Sequence, residues 1–202
     1  MDLKKEVQFQ ADDKGITVKL YGARTSYAFL DKPDEKGVYR SQFVLPKGTK
    51  GLEDLQNAIN VLGNTKFGKG SWKRAAIKDG DFIIQEKVQA GLEAKDFEIY
   101  HNAMVLSGNA KVDHAPDVRS IPGTGIYSGC YVAAILRIVT YENMSEGVKS
   151  VGVKAYINAV VFQGEGEKLG GGERLTADDL GIEMPDILPK VKAEEDYSDT
   201  PF

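Results

Sequence analysis

Residues 16–21, Ile-Thr-Val-Lys-Leu-Tyr, alternate apolar and polar side chains between Gly15 and Gly22, the period-two pattern of a half-buried strand. Residues 38–45 read as a second strand, stopped by Pro46. The period then changes. Leu52, Leu55, Ile59 and Leu62 recur at helical spacing, with Glu53 and Asp54 in the first turn and Gly63 placed as a terminator, which predicts one helix over about 51–62. Residues 64–80 read as a polar, basic connection, 97–106 as a strand, and the stretch holding Pro116, Pro122, Gly123 and Gly125 as turns. The longest strand signal is a pair, 131–142 and 151–162, joined by 143–150. In the first, Tyr131, Ala133, Ile135, Arg137, Val139 and Tyr141 share a face; in the second, Lys154, Tyr156, Asn158, Val160 and Phe162 share a face opposite Val153, Ala155, Ile157, Ala159 and Val161. Short strands interrupted by one helix predict a mainly β protein, with an OB-fold-like antiparallel barrel as the leading architecture.

The last ten residues break every period. Residues 193–202 hold Glu194, Glu195, Asp196 and Asp199, no Lys or Arg, and end on Pro201-Phe202. Such a segment cannot bury enough apolar surface to offset its ordering entropy, so a disordered acidic tail is expected. Residues 1–192 then form one domain with elaborations, of which 173–192 is an acidic-leaning connector. The tail accounts for the whole net charge of −4. Residues 1–172 carry 23 bases against 21 acids. Seven of those bases (Lys47, Lys50, Lys66, Lys69, Lys73, Arg74, Lys78) fall within 47–78, against Glu53 and Asp54 alone. A basic patch with a detached acidic tail fits a polyanion ligand, although a merely solvated charged face has the same composition.

The remaining composition mostly excludes. A lone cysteine, Cys130, rules out an intramolecular disulfide framework and suits a reducing compartment. The start, Met1-Asp2-Leu3-Lys4-Lys5-Glu6, leads into no apolar run, and no stretch is long enough to cross a bilayer, so a cytoplasmic location is expected. His101, His114 and Cys130 supply no recognisable zinc spacing. Residues 63–71, Gly-Asn-Thr-Lys-Phe-Gly-Lys-Gly-Ser, miss the phosphate-cradling loop of NTPases because glycine stands where a hydroxyl must hold magnesium, and because a helix precedes them. Gly170-Gly171-Gly172 lacks the setting of a dinucleotide site. Asp79-Gly80-Asp81 and Asp178-Asp179 are the only suggestive acid pairs for a metal-dependent nuclease, and both suit turns.

What recurs is aromatic residues among bases, the composition that grips single strands by stacking and phosphate contact. Phe67 lies between Lys66 and Lys69, and Trp72 beside Lys73 and Arg74. Tyr131 and Tyr141 flank Arg137, and Tyr156 is two positions from Lys154. Aromatic residues favour strands on packing grounds alone, so each strand tyrosine also has a core reading.

The tail resembles the C-terminal tip of single-stranded-DNA-binding proteins. The segments Ile126-Tyr127-Ser128-Gly129-Cys130-Tyr131-Val132, 152–160 and Glu167-Lys168-Leu169-Gly170-Gly171-Gly172 resemble a family of phage-encoded single-stranded-DNA-binding proteins with an OB-fold, related to that of T7-like phages. Residues 26–30 and 39–47 sit where that family places its opening aromatic segment and a strand ending in Pro-Lys. The chain departs from the family at 132–134, where Val-Ala-Ala replaces an expected base, and after Tyr27, where Ala-Phe stands in place of Pro-His. The resemblance implies sequence-tolerant single-stranded DNA binding in replication, recombination or repair, with no cofactor, no metal and no turnover. The aromatic-and-basic pattern makes Lys66, Phe67, Lys69, Trp72, Lys73, Arg74, Tyr131, Arg137, Lys154 and Tyr156 the candidate DNA-binding residues, and the resembling segment adds Tyr127. Glu194, Glu195, Asp196, Asp199, Pro201 and Phe202 would recruit a partner such as a DNA polymerase or helicase, and self-association on DNA stays open. The alternatives are an adaptor module that binds no DNA and the nuclease.

Overall fold

Alternation along the chain builds nine strands into a single sheet in the computed structural model, which describes residues 3–74, 76–123, 125–145 and 147–169. The strands are β1 (Glu6–Asp12), β2 (Gly15–Phe29), β3 (Val38–Pro46), β4 (Lys73–Arg74), β5 (Ile77–Asp79), β6 (Ala103–Lys111), β7 (Asp117–Arg119), β8 (Tyr131–Ser145) and β9 (Val148–Gly164). Helix α1 (Leu52–Phe67) follows β3 and helix α2 (Gly80–Gln89) follows β5. The connector and tail, together with Asp178-Asp179 and Gly170-Gly171-Gly172, lie outside the described residues.

Five strands close on themselves. Antiparallel pairings run β6–β3–β2–β8–β9, and a short parallel pairing of β9 with β6, Gly108 opposite Ala155 and Asn109 opposite Tyr156, joins the two ends. This is the partly open five-stranded barrel of an OB-type fold, with a seam only two residue pairs long. Inward positions alternate as the strands require: Ile16, Val18 and Leu20 on β2, Val132, Ala134, Leu136 and Ile138 on β8, and Val153, Ala155 and Ile157 on β9 form one core. Leu52, Leu55 and Ile59 of α1 pack into the same core. A second, smaller core lies on the outer side of β3 and β6. There α2 and a 3-10 turn (Ala94–Tyr100) set Ile83, Phe97 and Tyr100 over Val44 and Val105. That cover explains why only the covered stretches, Phe43-Val44-Leu45 of β3 and residues 103–106 of β6, are continuously apolar, since both of their faces are buried.

Several sequence expectations change. The helix runs five residues beyond position 62, because Gly63 sits inside it rather than ending it. Gly63 is buried against the indole of Trp72, and an added Cβ would fall within that ring. Gly68, at φ 84°, ends the helix instead. The supposed connection 64–80 contains the last turn of α1 plus β4 and β5. The strand expected over 97–106 begins only at Ala103; before it, Phe97 and Tyr100 stack at 6.4 Å within the 3-10 turn. Asp79 and Asp81 do not sit in an open turn. Asp79 caps α2 by accepting from the Asp81 backbone N–H, and both carboxylates hold Lys47 Nζ, at 2.8 and 2.7 Å. On β9 the extra residue Asn158 bulges out between Ile157, opposite Leu136, and Ala159, opposite Ile135. The faces therefore exchange beyond it, so Val160 is buried and Val161 exposed, the reverse of strict alternation.

Candidate nucleic-acid interface

Across the barrel, cross-strand partners put outward side chains in one row. Thr17 on β2 pairs with Arg137 on β8, Arg137 with Tyr156 on β9, Tyr156 with Asn109 on β6, Asn109 with Arg40 on β3, and Arg40 with Phe29 on β2. The Arg40 guanidinium lies 4.8 Å from the centre of the Phe29 ring. Perpendicular to that row, Lys154 Nζ stands 4.8 Å from the Tyr156 ring centre and 5.5 Å from that of Tyr141, a cation between two aromatic faces. These are the groups a single strand needs: flat rings for bases and mobile cations for phosphates.

A cleft of about 670 Å³ opens on this face, lined among others by Tyr27, Lys36, Arg40, Lys87, Asn109 and Lys154. The acid of the cleft, Asp34, is occupied by its own loop: its carboxylate accepts from the backbone N–H groups of Lys36 and Val38 and pairs with Arg40 Nε at 3.5 Å. Tyr27 is held by a built support. Its backbone is left-handed, φ 48°, at the irregularity between β2 and β3, a conformation costing a bulky residue about 1–3 kcal/mol. On one side Ser26 is buried with its hydroxyl 2.8 Å from that of Tyr100, whose own hydroxyl donates to Gln42 Oε1. On the other, the Ala28 N–H donates to Ser128 Oγ. The ring of Tyr27 stays half exposed at the cleft. Burial pushes the Tyr100 hydroxyl up to about 12, so it remains a neutral donor.

The residues singled out from sequence divide into three places. Arg137 and Tyr156 lie on the row just described, and Lys154 on the ladder that crosses it. Lys66 and Phe67 end α1, exposed and half-buried respectively, and Lys69 is exposed in the turn beyond. Trp72 packs over Gly63 and against the barrel core, its indole N–H donating to Asn64 Oδ1 at 3.0 Å, so much of one ring face is spent on packing. Lys73 and Arg74 form β4, paired with Gly152 and Val153 of β9. That pairing brings the basic loop to the same strand, because Gly152 leaves room both for the Lys73 carbonyl and for the Tyr141 ring, which a Cβ would meet at 2.9 Å. Tyr127 and Tyr131 stand elsewhere. Ten residues of β8 separate Tyr131 from Tyr141, about 33 Å of strand. The Tyr127 hydroxyl donates to Gly166 O, Lys168 lies over its ring, and the Leu169 N–H donates to Ser128 O, so residues 166–169 strap this corner. Tyr131 faces a separate cavity with Lys5, Arg24 and His101. The six tail residues lie outside the described ones.

Tyr27, Phe29, Lys36, Arg40, Lys87 and Asn109 were not singled out from sequence as site residues. Tyr27, Phe29 and Arg40 do fall within segments 26–30 and 39–47, which carry the family resemblance; Lys36, Lys87 and Asn109 converge only through the fold. Among the described residues, no group of three or more His, Cys, Asp or Glu could hold a metal ion. No helix among them is long and apolar enough to cross a membrane.

Protein p50 of Acyrthosiphon pisum secondary endosymbiont phage 1 is 24% identical over 179 residues, covering 78% of this chain and 88% of that protein. The single-stranded DNA-binding protein from bacteriophage Enc34 superposes with TM-score 0.56 at 23% identity, covering 90% of this chain and 100% of that one. The same phage protein in complex with ssDNA gives 0.55 at 23% identity, over 83% and 99%. The family described as Enterobacter phage Enc34, ssDNA-binding protein, matches residues 16–188, most of the sequence. With that extent of match joined to the barrel and its seam, the chain belongs to the Enc34 ssDNA-binding protein family.

Proposed function

We propose that the chain binds single-stranded DNA with little sequence preference during phage DNA replication, recombination or repair, without catalysing a reaction. The observation that carries this reading is the outward row Phe29–Arg40–Asn109–Tyr156–Arg137, crossed by the Tyr156–Lys154–Tyr141 ladder. Stacked bases contribute roughly 1–3 kcal/mol each and need no particular base, whereas the cations follow a backbone common to all sequences. Membership of a family described by ssDNA binding supports the same reading. The basic end of α1 and β4 extends the track past Tyr141. Residues 193–202 have a second role: Phe202 anchors a partner protein, and the four acids compete with DNA for the cationic face.

The test is anisotropy titration of labelled oligothymidylate, a mixed-sequence strand and a duplex over a salt series. Both single strands should bind more tightly than the duplex, with log affinity falling about 0.7 per neutralised phosphate against log salt. The pair R40A/K154A should lower affinity and flatten that slope by about one to two phosphates' worth. The triple K69A/K73A/R74A should flatten it less if the loop only extends the track. Equal binding by wild type and R40A/K154A removes the row from the site; no binding by the wild type leaves the adaptor reading.

A further inference from the structure

The turn joining β1 to β2, Asp12-Asp13-Lys14-Gly15, brings one carboxylate against the row. Asp12 accepts from both terminal nitrogens of Arg137, Nη2 at 2.6 Å and Nη1 at 2.8 Å, while Nη1 also donates to Thr17 Oγ1 at 2.9 Å. A guanidinium fork holding two oxygens in this way is the arrangement Arg makes with a phosphodiester. Arg137 is the direct cross-strand neighbour of Tyr156, so their Cβ atoms stand about 5 Å apart. Both line a cavity of about 440 Å³, together with Lys111, Asp113, His114 and Asn158, and the bulge exposes Asn158. The cavity thus has a flat ring, three further titratable groups (Lys111, His114 and the acid Asp113), an amide, and one cation already holding an anion.

Resting on the ssDNA-binding reading, we propose that this cavity is a nucleotide subsite in which Asp12 occupies the phosphate position on Arg137 until DNA displaces it. A base stacks on Tyr156, the adjoining phosphate takes the Arg137 fork, and the Asn158 amide meets the base edge. Exchange of one anion for another makes Arg137 a weaker contributor to net affinity than an unoccupied arginine would be. The built-in carboxylate also re-forms its bridge as the strand leaves. The subsite therefore favours turnover of bound DNA over tight retention.

The test uses the full chain and the labelled oligothymidylate salt series. D12N keeps an oxygen for the Lys14 N–H that now donates to Asp12 at 2.8 Å, so the turn is preserved. It should bind about two- to fivefold more tightly at low salt, with a slope steeper by about 0.7. D12S, a second variant retaining an acceptor, should show the same gain. R137Q should weaken binding, and D12N added to R137Q should change nothing further. Thermal melts of each variant report folding. Wild-type binding with D12N and D12S unchanged or weaker reduces the bridge to a hairpin staple and overturns the proposal. A gain that persists in R137Q shows a general charge effect and overturns it equally. Absence of wild-type binding removes the ssDNA reading itself, a separate result.

Discussion

Gly63 and Trp72 show how a single position redirects a functional reading. A tryptophan in a basic loop suggests a stacking platform, yet this one needs a glycine beneath it on α1 and contributes to the core. Its ring is therefore tied to stability first. G63A should force the indole aside and destabilise the fold by about 1–3 kcal/mol, the usual cost of overpacking. W72A removes the clash as well as the packing, so G63A/W72A should be less destabilised than the sum of the two single variants. Urea unfolding of the four forms measures this coupling; strict additivity would mean the two residues do not meet. Cys130 is also structural at this scale. It is buried, its thiol is pushed up by burial, and it lies 3.5 Å from Thr25 Oγ1.

At the scale of elements, the 3-10 turn before β6 ties three parts of the cleft through one hydroxyl. Tyr100 reaches Ser26 of β2 and Gln42 of β3, and its ring stacks on Phe97 beneath α2. Its folded pKa, about 12, lies above the ordinary 10. The native state therefore holds this proton more tightly than the unfolded chain. The stability it contributes is fully present below pH 10 and is lost as pH rises through 12. Y100F should flatten the alkaline limb of a pH–stability curve between 10 and 12; a limb identical to wild type would show that another group titrates there. These elements also mark how far the sequence could be read. Strands β2 and β8 and the first half of β9 were legible because their inner and outer residues alternate, and so was the start of α1; β6 was expected six residues early because Phe97, Ile99 and Tyr100 are apolar too. Helix α2 was not, because Phe82 and Val88 are exposed and blur the apolar period that Ile83 and Ile84 begin. The phase change at Asn158 was hidden because both 157 and 159–161 are apolar, leaving nothing to mark the bulge. Arg137, Lys154 and Tyr156 could be named because neighbours on one strand face are fixed by spacing. Tyr27, Arg40, Lys87 and Asn109 come from four separate elements, and their meeting depends on register and on a left-handed backbone that no residue pattern encodes.

For the whole molecule, charge is partitioned rather than balanced: residues 1–172 are slightly positive and the last ten carry the net −4. Attraction between the two is screened within about 8 Å at physiological salt. Deleting 193–202 should therefore tighten oligonucleotide binding at low salt and matter little at high salt. Removing Phe202 alone keeps the four side-chain carboxylates, so DNA affinity should hold while pull-down of replication proteins from the native cell is lost. Pull-down unchanged by that deletion would leave the tail only an electrostatic role. The barrel seam has its own consequence. Tyr156 and Asn109 stand on opposite shores of a join two residue pairs long, the shortest pairing among the five barrel strands. A strand of DNA lying along the row would cross that line like a suture, pinning the shores together while it stays bound. Ligand and fold would then share one mechanical element: occupancy would stiffen the barrel, and release would free the seam.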